Sequence, residues 1–372
     1  MILRGARLFD GTGFRDGLAL AVEGDRIAAL REDDGAGETL PGGILAPGFV
    51  DLQVNGGGGS MLDGAADAER IATICAAHAR LGATGIMPTL ITDTARATRA
   101  VIEAGIAAAE ARVPGFLGLH LEGPHLDRRR AGAHDPALIR SMTGSDLALY
   151  RNAARRLPAL IVTLAPESAT PGQIAALAEA GAIVSLGHSD CTAAEAEAAF
   201  AAGATMVTHL FNAMSPLTHR APGLVGAALD GAADCGLIAD GLHVDPVALR
   251  IAVAAKRRGR MFLVSDAMAV AGTHLDGFTL GGRRILRSDG RLTLEDGTLA
   301  GADLTLPQAV ALMVREGAAA PEAALAMASR IPADVIGRAD LGRLAPGARA
   351  DLVWLGDDLS LRGVWQGGGR LV

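Results

Sequence analysis

The stretch that decides the fold is AIVSLGHSDCTAAEAEAAFAAGATMVTH, residues 182–209. It contains two short β-prone runs, which end in His188 and His209. Between them, Thr192 is followed three residues later by Glu195, a spacing typical of a helix N-terminal capping box, and the glycine of AAGA is typical of a helix end. The stretch therefore predicts one strand–helix–strand unit of a parallel sheet, with an imidazole at the end of each strand.

The same alternation of short apolar runs and Ala-rich helical stretches continues from about residue 59 to residue 332. Eight apolar runs with strand character can be counted, and eight parallel strands close a (β/α)8 barrel. The residues at or near the ends of these runs are Asp51, Thr89, Glu122, Glu167, His188, His209, His243 and Asp266. We therefore predict an α/β fold with a TIM-like (β/α)8 barrel.

The two chain ends have a different pattern. Residues 1–47 contain short strand-like runs, including LALAVEGDRIAAL, in which EGDR has the character of a hairpin turn. Residues 345–372 return to short strands and turns. We predict that both ends join in one small β-sandwich domain and that residues 48–344 form the barrel.

Composition excludes several classes of partner. About half of the 372 residues are hydrophobic, the formal net charge is -7, and Lys256 is the only lysine. This balance predicts neither a nucleic-acid partner nor binding to an acidic membrane surface. The three cysteines are widely spaced and form no CxxC pair, so neither a disulfide framework nor a cysteine zinc site is predicted.

The first residues, MILRGARLFDGTG, lack the charged and apolar regions of a signal peptide. Apolar windows such as GLIADGLHV are interrupted by glycine or charge well before the ~18 residues that a membrane-spanning helix needs. These features predict a soluble, cytoplasmic protein.

Three candidate ligands fall at predicted strand ends. Glu122 of HLEGPHL, His188 and His209 would meet at the C-terminal end of the barrel, where the active sites of such barrels are built. Imidazole nitrogens and a carboxylate suit a borderline divalent ion, and three protein ligands leave a coordination position open. The alternative is that each residue is a hydrogen-bonded core or rim residue. The set as a whole predicts a metal site with hydrolytic chemistry.

Asp266, in VSDAM, is the candidate general base. A carboxylate beside a metal-activated water can accept its proton and later protonate a leaving amine. The alternative role is an N-cap for a helix that follows the eighth strand, and one residue could serve in both roles.

Eight motifs occur along the chain in a fixed order: PGFVDLQVNGGGG, HLEGPHL, AGAHDP, SLGHSDCTAAEAEAAFAAGATMVTHLFNAM, RAPGLVGAAL, IADGLHVD, LVSDAM and LAGADLTL. In these motifs the chain resembles the N-acetylglucosamine-6-phosphate deacetylase family of the amidohydrolase superfamily. The combination of HLEGP, GHSD, THLFNAM and SDAM is specific to this group. The resemblance implies a (β/α)8 barrel with a small β-sandwich, a homodimer, and removal of acetate from N-acetylglucosamine 6-phosphate by a metal-activated water.

The resemblance also implies roles for the reacting groups. Glu122, His188 and His209 match the metal ligands of the family, and Asp266 matches its catalytic aspartate. His134 of AGAHDP matches a histidine that contacts the substrate near its reacting carbonyl.

Further residues match the positions at which the family binds the phosphate of its substrate. The resemblance implies that Asn212, Ala213, Arg220 and His243 hold the phosphate and that Leu299 lines the pocket. A guanidinium, an imidazole and backbone N–H groups are suitable donors for a phosphate dianion, so the chemistry of these residues agrees with the implied role.

Two features depart from the wider superfamily. Many amidohydrolases have an HxH pattern after the first strand, where this chain has Gln53 and Asn55, and amide side chains are poor zinc ligands. The usual bridging lysine is also missing, because Lys256 lies away from any predicted strand end. We therefore predict one divalent ion per subunit, with Zn2+ favoured over Fe2+. His125 stands directly after HLEGP, where an apolar or aromatic residue is expected. Three roles are open for it: a packed polar group, a cleft residue or an extra weak metal ligand.

Three alternatives compete with this interpretation. One is the same reaction on N-acetylgalactosamine 6-phosphate, because a sugar epimer changes few contacts. Another is an amidohydrolase that acts on a cyclic amide or an N-acyl amino acid, which the implied phosphate set disfavours. The third is a non-catalytic amidohydrolase-like assembly protein, which would be expected to lack the metal ligands and the catalytic aspartate.

Overall fold

The computed structural model describes all 372 residues, and its first 47 residues form seven short strands. They are β1 (Ile2–Arg4), β2 (Arg7–Phe9), β3 (Phe14–Arg15), β4 (Leu18–Glu23), β5 (Arg26–Glu32), β6 (Glu38–Thr39) and β7 (Ile44–Pro47). Four of them form a sheet in the order β5-β4-β1-β6. A two-residue turn joins β4 to β5, with Gly24 at a φ of 57°, so the hairpin predicted at EGDR is present.

Eight parallel strands form the centre of the molecule, each paired with the next along the chain. A short hairpin of β9 (Gly56–Gly57) and β10 (Ser60–Met61) follows the first of them. The eight are β8 (Phe49–Val54), β11 (Ala83–Ile91), β12 (Leu119–Glu122), β13 (Leu160–Leu164), β14 (Ile183–Leu186), β15 (Ala204–Val207), β16 (Asp234–Leu237) and β17 (Met261–Leu263).

Hydrogen bonds close this sheet between its first strand and the residues after its last. The backbone N–H of Asp266 donates to the carbonyl of Gln53 at 3.0 Å. The carboxylate of Asp51 accepts from the backbone N–H of Ser265 at 3.1 Å. The chain therefore forms a closed eight-stranded barrel, and the predicted TIM-like fold is confirmed.

Helices cover the outside of the barrel. Those that connect barrel strands are α1 (Ala68–Arg80), α2 (Ala95–Glu110), α3 (Gly144–Arg156), α4 (Pro171–Glu179), α5 (Ala193–Ala201), α6 (Gly223–Asp230) and α7 (Pro246–Ala255). Three more follow the last strand: α8 (Leu306–Arg315), α9 (Pro321–Ala328) and α10 (Arg330–Val335). The main apolar core lies between strands and helices. None of the helices has both the length and the apolar character needed to cross a membrane.

An antiparallel sheet that the sequence did not predict interrupts the barrel after β17. Its strands are β18 (Gly277–Leu280), β19 (Arg283–Ser288), β20 (Arg291–Leu294) and β21 (Leu299–Ala302). This insert packs its own small apolar cluster, which includes Ile285 and Leu292, against Met268. The helix that Asp266 was alternatively expected to cap is absent, because the next helix, α8, begins only at Leu306.

The C-terminal residues complete the small β domain. Strands β22 (Leu352–Leu355), β23 (Leu361–Gln366) and β24 (Gly369–Arg370) join N-terminal strands in a sheet of order β24-β23-β22-β7-β2-β3. A separate apolar core that includes Trp354 and Trp365 packs against these sheets. A β domain built from both chain ends is therefore present, and the proposed boundaries at residues 47 and 345 remain a prediction.

The helix between the two histidines begins as the sequence predicts. Thr192 is the N-cap of α5, and its hydroxyl accepts from the backbone N–H of Glu195 at 3.3 Å. The Glu195 carboxylate in turn accepts from the backbone N–H of Thr192 at 2.8 Å. Gly203 has a φ of 117° just beyond the helix end, a conformation that residues with a side chain rarely adopt.

We expect Thr192→Ala to lower the free energy of unfolding by about 1 kcal/mol, because it removes the side-chain acceptor of the cap. Thr192→Ser keeps that acceptor and should stay near the native value. Urea unfolding followed by circular dichroism measures both, and equal stability of the Ala and Ser variants would contradict the assigned cap.

Candidate active site

The three candidate metal ligands meet at the C-terminal end of the barrel. Glu122 is the last residue of β12, and His188 and His209 each follow their strand by two residues. The Oε1 atom of Glu122 is 3.2 Å from Nε2 of His188 and 3.0 Å from Nε2 of His209. The two imidazole nitrogens are 3.1 Å apart, and all three side chains are buried.

This arrangement fits a divalent cation. Ligand atoms about 2.0–2.1 Å from a tetrahedral Zn2+ lie about 3.3 Å from each other, close to the spacing found here. Nδ1 of His188 lies 2.8 Å from the Arg130 carbonyl and donates to it, so Nε2 is the nitrogen directed at Glu122. A cation between these atoms would be held by the two Nε2 atoms and the Oε1 atom that point at one another.

His134 adjoins the cluster but is oriented as a donor. Its ring centroid is 4.3 Å from that of His188, and Glu122, His134 and His188 together could also hold an ion. However, Nδ1 of His134 accepts from the backbone N–H of Thr92 at 3.2 Å. Burial lowers the pKa of His134 to about 3, so the ring is neutral and its proton lies on Nε2. An N–H cannot ligate a metal, and a contact with a substrate carbonyl oxygen suits it better.

Asp266 is held by the two amide residues that stand in place of the HxH pattern. Its Oδ1 accepts from Nδ2 of Asn55 at 2.7 Å and from Nε2 of Gln53 at 3.1 Å. Nε2 of Gln53 also lies 3.3 Å from both carboxylate oxygens of Glu122. The amide N–H groups therefore orient both carboxyl groups, and both amides donate to the same oxygen of Asp266.

The two carboxyl groups have opposite pKa shifts. Burial, with the nearby charge of Glu122, raises the pKa of Asp266 to about 6. Burial would also raise the pKa of Glu122, but the imidazoles of His188 and His209 hold that pKa well below its usual range. Glu122 is therefore held in its ionised form, whereas the surroundings of Asp266 favour its protonated form more than water would.

Backbone strain is concentrated at the same place. His188, His209, Ala213 and Asp266 have φ values of 48°, 29°, 51° and 51°. Residues other than glycine rarely adopt this left-handed region, and such positions cluster at functional sites. All four residues line one cavity, so the strain lies where side chains are turned toward a common point.

The cavity at this end of the barrel has a volume of about 170 Å³. It brings together nearly all residues that the sequence analysis selected. The lining consists of Asn55, Ile91, Glu122, Gly132, Ala133, His134, His188, His209, Asn212, Ala213, Ile238, His243, Asp266, Met268, Leu299 and Gly301. Within it, Nδ1 of His243 lies 2.6 Å from a carboxylate oxygen of Asp240, which orients the imidazole.

Arg220 and His125 lie outside this cavity. The Arg220 side chain is exposed in the loop before α6. His125 packs its ring 5.7 Å from the ring of Tyr150, and its Nδ1 lies 3.1 Å from the Arg140 carbonyl. This placement agrees with a packed polar group at position 125 rather than a metal ligand.

Several cavity residues were not predicted from the sequence. Ile91, Ile238 and Met268 are apolar lining residues, and Thr92, which does not line the cavity, contacts His134 from outside it. Met268 lies within the quoted SDAM motif, which was a usable signal, but nothing marks the isoleucines as different from other strand residues.

Residues 44–369 match the Amidohydrolase family. This chain belongs to the amidohydrolase family.

Relatives within this family cover nearly the whole chain. An N-acetylgalactosamine-6-phosphate deacetylase of Shewanella sp. (strain ANA-3) is 38% identical over 99% of this chain and 95% of the relative. An N-acetylglucosamine-6-phosphate deacetylase of Homo sapiens is 37% identical over 99% of this chain and 93% of the relative. The crystal structure of N-acetylglucosamine-6-phosphate deacetylase from Pasteurella multocida superimposes with a TM-score of 0.95 at 32% identity, covering 100% of this chain and 99% of that one.

We expect Glu122→Gln to weaken binding of a divalent ion by more than about 100-fold, the upper range for residues that only support a ligand. The amide removes the negative charge that faces both imidazoles. Titration calorimetry with Zn2+ and metal analysis after dialysis measure the effect. Glu167→Gln is the matched control, because Glu167 follows the next strand but contacts Ser189 and Asp190 rather than the cluster. A Glu122→Gln protein that retains one tightly bound ion would contradict the assignment.

Proposed function

We propose that this amidohydrolase removes acetate from N-acetylglucosamine 6-phosphate and releases glucosamine 6-phosphate. The observation that carries the proposal is the position of Asp266 beside the Glu122, His188 and His209 cluster, in one cavity with His134. The full-length relatives named for this reaction give the substrate class. An amide hydrolase needs a proton acceptor next to an electrophilic centre. In this cavity Asp266 would be the acceptor, and the Glu122, His188 and His209 cluster would hold the electrophilic ion.

The proposed cofactor is one Zn2+ per subunit, with Fe2+ as the alternative. Glu122, His188 and His209 would hold it. Two imidazoles and one carboxylate suit a borderline ion, and Glu122 supplies its single negative charge. When bound, such an ion supplies Lewis-acid polarisation and a water-derived nucleophile that is active near neutral pH.

Asp266 and His134 carry out the remaining chemistry. The free oxygen of Asp266 accepts the proton of the attacking water and then delivers it to the amine nitrogen as the carbon–nitrogen bond breaks. The Nε2–H of His134 donates to the carbonyl oxygen, where negative charge develops during attack. Gln53 and Asn55 keep the first oxygen of Asp266 occupied, so that proton transfer runs through the second.

The phosphate end of the substrate is proposed to lie at the opposite side of the cavity. Asn212, Ala213, His243 and Leu299 line the cavity, and the first three would contact the phosphate while Leu299 would contact the sugar. Arg220 is proposed to donate to the phosphate from its own subunit or from the partner in a homodimer, since its exposed guanidinium lies outside the cavity of the single chain.

A second candidate substrate is N-acetylgalactosamine 6-phosphate. The observation that favours it is the Shewanella relative, which is named for that epimer and is 38% identical over 99% of this chain. The two sugars differ only in the orientation of one hydroxyl, so the same metal cluster, base and phosphate contacts serve both.

We expect Asp266→Asn to lower kcat by about 100- to 10,000-fold, the usual contribution of general acid–base catalysis, without loss of the bound ion. Asparagine tolerates the left-handed backbone at this position, so the variant should fold. Steady-state kinetics with metal analysis measure the effect. A folded, metal-loaded variant that keeps most of its turnover would remove Asp266 from the mechanism.

The pH dependence of the native enzyme is the control for this variant. The base must be ionised, so kcat/KM should fall as the pH drops through the pKa of Asp266. Burial raises that pKa to about 6 in the protein alone, and a bound cation lowers it, which places the acid limb at or below pH 6. The residual activity of Asp266→Asn should lack this limb.

The proposed substrate is tested by acetate release from N-acetylglucosamine 6-phosphate, N-acetylgalactosamine 6-phosphate and unphosphorylated N-acetylglucosamine. We expect kcat/KM to be at least about 100-fold higher with phosphate than without it, because charge-assisted contacts contribute about 1.5–3 kcal/mol each. Preference for the galacto epimer would select the second candidate. Equal turnover with and without phosphate would contradict the phosphate-binding roles of Arg220 and His243. Absence of acetate release from all three substrates would overturn the proposed function.

A further inference from the structure

Directly below the cluster, the barrel interior contains a row of polar side chains that the proposed mechanism does not use. They are His120 of β12, Thr163 of β13, Ser185 of β14 and Thr208 after β15. All four side chains are completely buried. Barrel interiors are normally filled by branched apolar residues, so four adjacent polar side chains need an explanation.

These side chains form one continuous hydrogen-bonded chain. The Ser185 hydroxyl lies 2.6 Å from that of Thr208, which lies 2.6 Å from that of Thr163. The Thr163 hydroxyl is 2.7 Å from Nε2 of His120, and Nδ1 of His120 is 3.0 Å from the backbone carbonyl of Leu52 in β8. The chain therefore crosses five of the eight barrel strands.

The direction of every bond in this chain is fixed. The Leu52 carbonyl can only accept, so Nδ1 of His120 donates to it. No acid contacts the buried imidazole, and an unpaired buried charge is costly, so the ring is neutral and its Nε2 accepts from Thr163. It follows that Thr208 donates to Thr163 and Ser185 donates to Thr208. Removal of the Thr163 hydroxyl therefore leaves Nε2 of His120 without a donor and the Thr208 hydroxyl without an acceptor.

We propose that the chain Ser185–Thr208–Thr163–His120 positions the three metal ligands. His120 lies on the same face of β12 as Glu122, two residues away, because side chains alternate along a strand. Thr208 directly precedes His209, and Ser185 lies three residues before His188. Thr163 of β13 joins the first of these strands to the others.

The strained backbone at the ligands gives this positioning a purpose. His188 and His209 have φ values of 48° and 29°, so each turns away from its strand through a conformation that costs energy. Strands that were free to shift would relieve this strain and separate the nitrogens from Glu122. The hydrogen bonds between these side chains lie just below the turns and fix the strand ends relative to one another along the barrel axis. These four residues are therefore positioning residues and not catalytic ones.

The test uses the full-length protein and the isosteric variant Thr163→Val. It removes the donor to His120 and the acceptor of Thr208 and leaves no room for water. We expect the dissociation constant for Zn2+, measured by competition with a chromophoric chelator, to rise about 10- to 100-fold, as for other residues that support metal ligands. With saturating metal, kcat should fall while KM stays unchanged, because the four hydrogen-bonded side chains do not line the cavity.

Two further variants separate positioning from stability. Thr163→Ser keeps the hydroxyl and should restore the native dissociation constant. Val162→Ala lies on the same strand but faces the helices, so it should lower the thermal midpoint without changing metal binding. Should Thr163→Val fail to fold, Ser185→Ala at the end of the chain provides a milder test, with a smaller rise in the dissociation constant.

The inference rests on the metal site of the proposed function, yet its outcome is separate. The dissociation constant is measured without substrate, so inactivity on every phosphosugar would overturn the proposed function and leave this comparison intact. Native metal affinity in a folded Thr163→Val or Ser185→Ala protein would overturn the positioning role. A native protein that binds no divalent ion would overturn both proposals.

Discussion

Closure of the barrel between its first and last strands is the constraint on which the rest of the site depends. The bond from the Asp266 backbone to the Gln53 carbonyl joins residues that lie far apart in the chain. This closure places Asp266 beside Asn55 and within reach of Glu122. Asp266 and the cluster of Glu122, His188 and His209 are therefore neighbours because the sheet is circular, and no local sequence feature could bring them together.

Once the groups are in place, their surroundings give the two carboxyl groups different properties. Glu122 and Asp266 are both buried, and both contact Gln53. The imidazoles of His188 and His209 keep Glu122 ionised against its burial, whereas burial and the nearby charge of Glu122 raise the pKa of Asp266. The amide side chains at positions 53 and 55 also add no charge, so the cluster has the charge balance suited to one divalent ion.

Much of the fold, and the positions of Glu122, His188, His209, His243 and Asp266 at strand ends, can be predicted from the sequence because the signals are local. The other predicted cavity residues, His134, Asn212, Ala213 and Leu299, follow only from the family resemblance. Strand-like runs, the capping box at Thr192 and polar residues at strand ends are visible without knowledge of tertiary contacts. The insert β18–β21 is not predicted, because its residues lie within the range 48–344 that the sequence assigns to the barrel and no local signal separates them from it. The contact of Thr92 with His134, and the orientation of His120 toward Thr163, depend on which strands become neighbours. A threonine in a strand is ordinary, so its role appears only in three dimensions.

The insert supplies one part of the cavity wall and the barrel supplies another. Glu122, His188 and His209 lie at the ends of barrel strands whose register is fixed by their neighbours, whereas Leu299 and Gly301 reach the cavity from β21 of the insert. Arg283 of the same insert donates to the carbonyl of Ala133, next to His134. One wall of the cavity therefore belongs to a sheet outside the strand order of the barrel. Changes of length or side chain in that sheet can reshape the cavity while the ligands keep their geometry, which makes the insert a natural place for acyl or sugar selectivity to diverge among related enzymes.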